Sequence, residues 1–182
     1  GSTVSRATLH NEDEIRRKDI RVGDTVVIEK GGDVIPKVVR IVEQTGKIRV
    51  SAFVMPRDCP ECGAPIYRLE GEAAWRCINS SCHAQLKERL LHFSARNAMD
   101  IDHFGPAIAD QLVDRGIVRN FSDLYSLTLD NLMGMERMAE KSARNLLEAI
   151  DKSKRAGFAR LVFALGIRHV GQRAAAVLAQ TF

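Results

Sequence analysis

Aromatic residues are scarce in this chain, with seven Phe, two Tyr and a single Trp among 182 residues. One indole is a weak basis for a platform that stacks unpaired bases, so Trp75 is expected to anchor a small hairpin instead. Apolar stretches long enough to cross a bilayer are missing. No charged-then-apolar leader opens the chain, and Gly1-Ser2 reads as an expression-vector remnant, which together point to the cytoplasm. A polybasic tail is also absent. The net charge of +4 is spread as +2 over 1–58, −1 over 59–82 and +3 over 83–182, which permits nucleic-acid binding without demanding it. At 45% hydrophobic and 27% charged, the composition excludes disorder, collagen-like repeats and low complexity. A length of 182 residues allows small domains and not a large enzyme.

Residues 3–58 carry the strand signal. Thr25–Ile28, Val34-Ile35 with Val38–Val42, and Ile48–Val50 are short β-branched runs separated by turn residues. Lys30-Gly31-Gly32-Asp33 suits a hairpin that needs positive φ, and Thr45-Gly46-Lys47 marks a second reversal. Asn11 to Lys18 reads as a short helix with Asn11 as N-cap and Glu12, Asp13 and Glu14 in the first turn. A small curved sheet with one helix suggests part of a five-stranded Greek-key barrel, for which about four strands are found, so an incomplete barrel stays open. From residue 83 onward the pattern turns to period 3.6. Short amphipathic helices are expected over His83–Ala95, Pro106–Arg115, Phe121–Ser126, Leu129–Gly134, Ala139–Arg155, Phe158–Leu165 and Gly171–Thr181. The fold class is therefore mixed α and β in several domains: the barrel over 3–58, a cysteine module over 59–82 and an all-helical region over 83–182.

All four cysteines lie in the middle segment. Cys59 and Cys62 are separated by two residues, and Cys77 and Cys82 by four, spacings that let both thiolates of a pair reach one tetrahedral ion. Gly63 permits the sharp turn of the first pair, and Glu70-Gly71-Glu72 closes a hairpin between the two. The reading is a structural zinc site with four sulfur ligands. Two disulfides, four unrelated thiols or an iron–sulfur cluster are the alternatives, of which reducing cytosol disfavours the first. His83 follows Cys82 directly and is expected to start a helix, since adjacent residues rarely face one ion. With every position filled by protein, such a site does no chemistry and serves to hold the strand-rich part against the helices.

Three stretches of the helical region share one local pattern: an apolar residue, a short gap, a small residue, then a helix with Ala on its inner face. They are Ile101–Ala107, Met135–Ala143 and Ile167–Ala174, and the small residues Gly105, Ala139 and Gly171 recur at intervals of 34 and 32 residues, an internal repeat. A glycine there lets the N–H groups of the next helix approach a phosphate closely, where the helix dipole favours an anion. Such contacts grip a nucleic-acid backbone without reading bases. Arg137, Lys141, Arg144, Arg168 and Arg173 stand nearby as further charge. The plainer alternative is a helical bundle whose glycines only end helices. His92, among Leu90, Leu91 and Phe93, reads as a packed histidine.

Taken together, Val4-Ser5-Arg6-Ala7-Thr8-Leu9-His10-Asn11, Arg21–Val26, Gly32-Asp33-Val34-Ile35-Pro36, the four cysteines, and Glu136-Arg137-Met138 with Lys141-Ser142-Ala143 resemble the bacterial NAD-dependent DNA ligases over nearly the whole chain. The resemblance implies an OB-fold barrel, a four-cysteine zinc finger and a helix-hairpin-helix domain, in that order. It further implies a parent enzyme that seals nicks in duplex DNA during replication and repair: a lysine takes AMP from NAD, the AMP moves to the 5′-phosphate, and the 3′-hydroxyl displaces it. The adenylation domain that holds that lysine, with its NAD and magnesium, corresponds to nothing in these residues. Nor do a fourth hairpin and a BRCT domain. The piece alone is thus expected to bind nicked duplex as a monomer without ligating, its adenylation domain being a partner in cis.

Under the same resemblance Lys30, Val34 and Ile35 match the segment that enters the minor groove beside the nick, where a cation and apolar side chains help distort the duplex. Core packing is the alternative for Val34 and Ile35, which face opposite sides of a strand. Gly105, Ala139 and Gly171 match the hairpin phosphate positions, with Arg137 and Lys141 beside the second. Here the chain departs from the family pattern. His103, Arg137 and His169 replace the small residue that opens each turn, and Ala139 adds a methyl where close approach is needed. Two other classes of function compete: a non-enzymatic repair or recombination adaptor of zinc and helix-hairpin-helix elements, and a zinc-stapled protein-interaction module. The first would share the DNA binding, and the second would show none that depends on salt.

Overall fold

The computed structural model describes residues 3–30, 35–42 and 49–182. The chain divides into two compact units, Gly1–Ile78 and Asn79–Phe182. The first opens on Thr8, which bridges in parallel to Lys37, with the Thr8 N–H donating to the Pro36 carbonyl at 2.7 Å. Helix α1, Glu12–Arg17, follows. Its start is fixed by Asn11, whose Oδ1 accepts from the Glu14 N–H at 2.9 Å, and by three acidic residues in the first turn that complement the helix dipole. Strands β1 (Val26–Glu29) and β2 (Lys37–Ile41) pair antiparallel, Val26 opposite Ile41 and Glu29 opposite Lys37, with a bulge at Val27/Ile28. Val38 turns inward and is buried, while Ile28 and Val39 face outward.

The expected reversals at Gly31–Asp33 and Thr45–Lys47, and Ile48 of the expected third strand, lie outside the described residues. Arg49 and Val50, the rest of that strand, are not in a ladder. Instead the Arg49 guanidinium donates to Asp19 Oδ2 at 2.7 Å and to both carboxylate oxygens of Asp24 at 2.8 and 3.1 Å, and Arg21 donates to the Val50 carbonyl at 3.0 Å. An ion-pair network thus holds the segment where a strand was expected. Among the described residues the barrel is represented by β1, β2 and the Thr8 bridge.

Two further strands, β3 (Ile66–Tyr67) and β4 (Arg76–Cys77), form the short hairpin between the cysteine pairs. Gly71 turns it with φ of 78°, a left-handed angle that glycine adopts freely. This hairpin is keyed to α1: the Trp75 indole N–H donates to Glu12 Oε2 at 2.7 Å, and Arg68 pairs with Asp13. Glu12 is buried, so its second oxygen also has to be satisfied, and Arg16 does so at 3.0 Å.

The second unit is helical. It contains α2 (His83–Ser94), α3 (Pro106–Asp114), a 3-10 helix at Phe121–Ser126, α4 (Leu129–Met133), α5 (Glu140–Ser153), α6 (Phe158–Ala164) and α7 (Gln172–Thr181). These follow the periodicity of the sequence. The core joins Leu90, Phe93, Leu112, Leu124, Leu132 and Leu146, each almost wholly excluded from solvent and each contributing about 1.5–3 kcal/mol by burial. Phe93 stacks on Phe121 with centroids 4.6 Å apart. Tyr125 presents its hydroxyl to Ser153 Oγ at 3.0 Å, and Ser153 in turn donates to the Ile150 carbonyl, so the polar atoms here are paired. No described helix is long and apolar enough to cross a membrane.

Helices pack as successive neighbours, α2 with α3, α4 with α5 and α6 with α7. Three helix pairs result, each with a tight turn. In each turn the first residue is left-handed (His103 φ 66°, Arg137 φ 58°, His169 φ 65°). The next is Phe104, buried in the core, Met138, packed against it, or Val170, half-buried, and the third, Gly105, Ala139 or Gly171, is the extended N-cap of the following helix. Four residues on stand Ala109, Ala143 and Ala175, all at 0% exposure. These are the inner-face alanines. Ala107 and Ala174, where the sequence motif was expected to place two of them, are exposed.

Candidate metal centre and nucleic-acid interface

The cysteine module begins with a knuckle. The Gly63 N–H donates to the Cys59 carbonyl at 2.9 Å and the Cys59 N–H to the Ala64 carbonyl at 2.8 Å, a turn that Gly63 completes at φ 68°. Cys77 ends β4. Cys82 is the N-cap of α2, and its N–H donates to the Asn79 carbonyl at 3.1 Å. The four Sγ atoms lie within 4.8 Å of one another, with Cys62 and Cys77 at 3.6 Å, and none is in a disulfide. A tetrahedral ion with zinc–sulfur bonds near 2.3 Å sets its sulfurs about 3.8 Å apart. The geometry therefore fits one ion, whereas a multi-iron cluster distributes its cysteines over separate metals. His83 is exposed at the start of α2 and is not one of the grouped donors. A bound zinc would fix the loops that carry Cys59, Cys62, Cys77 and Cys82.

The candidate DNA contacts fall in two places. Lys30 and Ile35 flank the undescribed stretch 31–34; Lys30 is exposed, and Ile35 is 70% exposed, so core packing does not account for it. Val34 lies outside the described residues. Gly105, Ala139 and Gly171 adopt one conformation, φ/ψ of −113°/178°, −80°/157° and −83°/−179°. None of these three N-termini has a side-chain cap, whereas α1, the 3-10 helix and α4 are capped by Asn11, Asn120 and Thr128. Orphan N–H groups of that kind are available to an anion. The starts of α2 at Cys82 and of α6 at Gly157 also lack a side-chain cap, but Cys82 is one of the four grouped sulfurs and Gly157, at φ 85°, has a different geometry.

The fold does not require glycine at Gly105 or Gly171. Both φ values suit any residue, and a Cβ at either would meet nothing within 4 Å among the described residues. Ala139 shows the alanine form of the same cap. Arg137 and Lys141 are exposed beside it, and Arg144 pairs with Glu140 at 2.7 Å. His92 is a packed histidine, edge-on to Phe163 with Nε2 3.1 Å from the Phe163 carbonyl.

Sequence reasoning missed the side chains that hold these turns. Arg160 of α6 donates to the Ala98 and Arg96 carbonyls, both at 2.6 Å, ahead of the first turn. Gln111 and Arg115 of the α3 region reach the second. The one trace in the sequence was their spacing of four on a single helix face.

Carboxylates in the first unit are displaced toward acid. Hydrogen bonds from Arg17 and Lys18 bring Glu14 down to about 2. The Arg68 guanidinium lowers Asp13, Arg21 and Arg49 lower Asp19, and Arg49 with the Arg21 N–H lowers Asp24.

Comparison with known proteins bears on both parts of the site. Residues 1–50 match the NAD-dependent DNA ligase OB-fold domain, and residues 58–84 match the NAD-dependent DNA ligase C4 zinc finger domain. Over its full length the chain is 56% identical to a DNA ligase of Pelotomaculum thermopropionicum and 57% identical to one of Solibacter usitatus. A DNA ligase of Halothermothrix orenii is 53% identical over 183 residues. The chain spans 27% of the length of each of these relatives.

Proposed function

We propose, from the premise that this chain carries the OB-fold and four-cysteine zinc-finger domains of the NAD-dependent DNA ligases, that it is the part of such an enzyme that grips nicked duplex DNA. The parent enzyme joins the 3′-hydroxyl and 5′-phosphate of a nick at the expense of NAD, with magnesium, through an adenylation domain in cis. The arrangement is an OB-fold portion over 3–58, a zinc finger over 59–82 and a helix-hairpin-helix domain over 83–182. Zinc on Cys59, Cys62, Cys77 and Cys82 is structural and takes no part in phosphoryl transfer.

One observation carries the DNA reading. Three helix N-termini repeat the same uncapped geometry, and two of them are glycines whose missing Cβ the free fold does not need. What does need that space is a group brought close from outside, and an N–H-lined helix start selects an anion. Gly105, Ala139 and Gly171 therefore contact phosphates, Arg137 and Lys141 add charge at the second hairpin, and Lys30, Val34 and Ile35 meet the minor groove.

The test is binding of this chain to nicked and intact versions of one duplex across a salt series, beside Lys30→Ala and Gly171→Asp. Preference for the nick, affinity that falls steeply with salt and weakening in both variants are expected. Equal, salt-independent binding in all three proteins, or none at low salt, would overturn the reading.

A further inference from the structure

The second turn is held from outside its own hairpin. The Glu136 N–H donates to Gln111 Oε1 at 2.7 Å and Gln111 Nε2 donates back to the Glu136 carbonyl at 3.3 Å, so the side-chain amide pairs with the backbone as a neighbouring strand would. Arg115, four residues on, donates to Gln111 Oε1 at 3.2 Å and to the Gly134 carbonyl. With two donors on Oε1 and carbonyls around Nε2, only one orientation of the Gln111 amide satisfies the network. Glu136 directly precedes Arg137, whose left-handed backbone aims the turn into Ala139 and α5. His103 of the first turn, Gln111, Arg137 and Ser142 line one shared groove.

We infer that Gln111, oriented by Arg115, is a positioning residue for DNA binding by the second hairpin. It fixes the backbone at Glu136 so that Arg137 and the first N–H groups of α5 meet the duplex already ordered, which spares binding the entropy of setting a strained turn. Because Gln111 lies on α3, the second helix of the first hairpin, the two hairpins are held in one register. This inference rests on the reading of the second hairpin as a phosphate contact.

The experiment uses the full chain and the nicked duplex, with Gln111→Ala, Gln111→Glu, Arg137→Ala and the double variant Gln111→Ala/Arg137→Ala. Loss of the amide is expected to weaken binding about tenfold, the scale of one or two hydrogen bonds. Gln111→Glu keeps the acceptor for the Glu136 N–H but turns a carboxylate oxygen toward the Glu136 carbonyl and adds negative charge beside the duplex, so it is expected to bind no better than Gln111→Ala. Adding Gln111→Ala to Arg137→Ala should cost little more, since both act through the same turn. Amide hydrogen exchange at Glu136, measured without DNA, should be slow in the parent and fast in Gln111→Ala. Full additivity of the two substitutions, or unchanged binding in Gln111→Ala, overturns the inference. If the parent bound no duplex, the DNA reading would fall on its own, and unchanged exchange at Glu136 would separately refute the positioning role.

Discussion

At positions 103, 137 and 169 a histidine, an arginine and a histidine hold left-handed backbone angles that cost an L side chain about 1–2 kcal/mol. Histidine is among the types enriched in that region and arginine is not. Arg137→Gly is therefore expected to raise stability the most, by about 1 kcal/mol after the greater freedom of the unfolded glycine chain is subtracted. Urea unfolding reads that gain, and the duplex affinity of the same variant should fall with the lost guanidinium. The cap glycines behave oppositely. Gly105→Ala and Gly171→Ala should leave stability within about 0.5 kcal/mol, as for other open positions, yet weaken duplex binding; a drop in stability with affinity intact would contradict the account of these caps. The residue types of the motif were readable in the sequence, and so was the oddity of a bulky residue opening each turn. That these residues take φ near 60° was not, because the region is uncommon for any L side chain and the packing of buried Phe104 and partly buried Met138 beside the first two is a tertiary fact.

Elements follow their patterns where one face must be buried. The amphipathic helices of the second unit were legible because a period of 3.6 leaves few alternatives once a stripe of Leu, Val and Ala has to meet a core. Ala109, Ala143 and Ala175 extend that logic, since a small residue one turn into each hairpin helix lets its partner approach. Ala143→Leu should overpack the α4–α5 pair and cost about 1–3 kcal/mol, read as a lowered unfolding midpoint with the same denaturant slope. Ala174→Leu, on the exposed side, should change little. The strand expected at residues 48–50 shows the opposite case. Two β-branched residues around an arginine suit a strand, but the two described ones are held by Arg49 to Asp19 and Asp24, partners 30 and 25 residues away that no local pattern reveals. The cysteine site was fully legible, because ligand spacing is itself a local property.

For the whole molecule, the response to acid begins with the carboxylates that cationic partners hold below their ordinary range. Glu14, Asp13, Asp19 and Asp24, in the first unit, are lowered by arginine and lysine partners, and Asp151, in the second, is lowered by Lys154. A group whose folded pKa is depressed binds fewer protons in the folded state, so its stabilisation is complete above the ordinary carboxylate range near 4 and is lost as the pH falls toward the folded value. For Glu14 that value is about 2. Protons also compete with zinc for the thiolates. Stability is therefore expected to fall as the pH drops below about 4, which urea midpoints across an acid titration would show; a midpoint that does not move would refute it. Removing zinc with a chelator at neutral pH should loosen the cysteine hairpin and release Trp75 from Glu12. As Trp75 is the one tryptophan of the chain, its emission arises from a single spot, the seam between that hairpin and α1. A shift of that emission to longer wavelength is then an unlabelled optical gauge of metal occupancy, and it can be followed in the same cuvette while duplex is added.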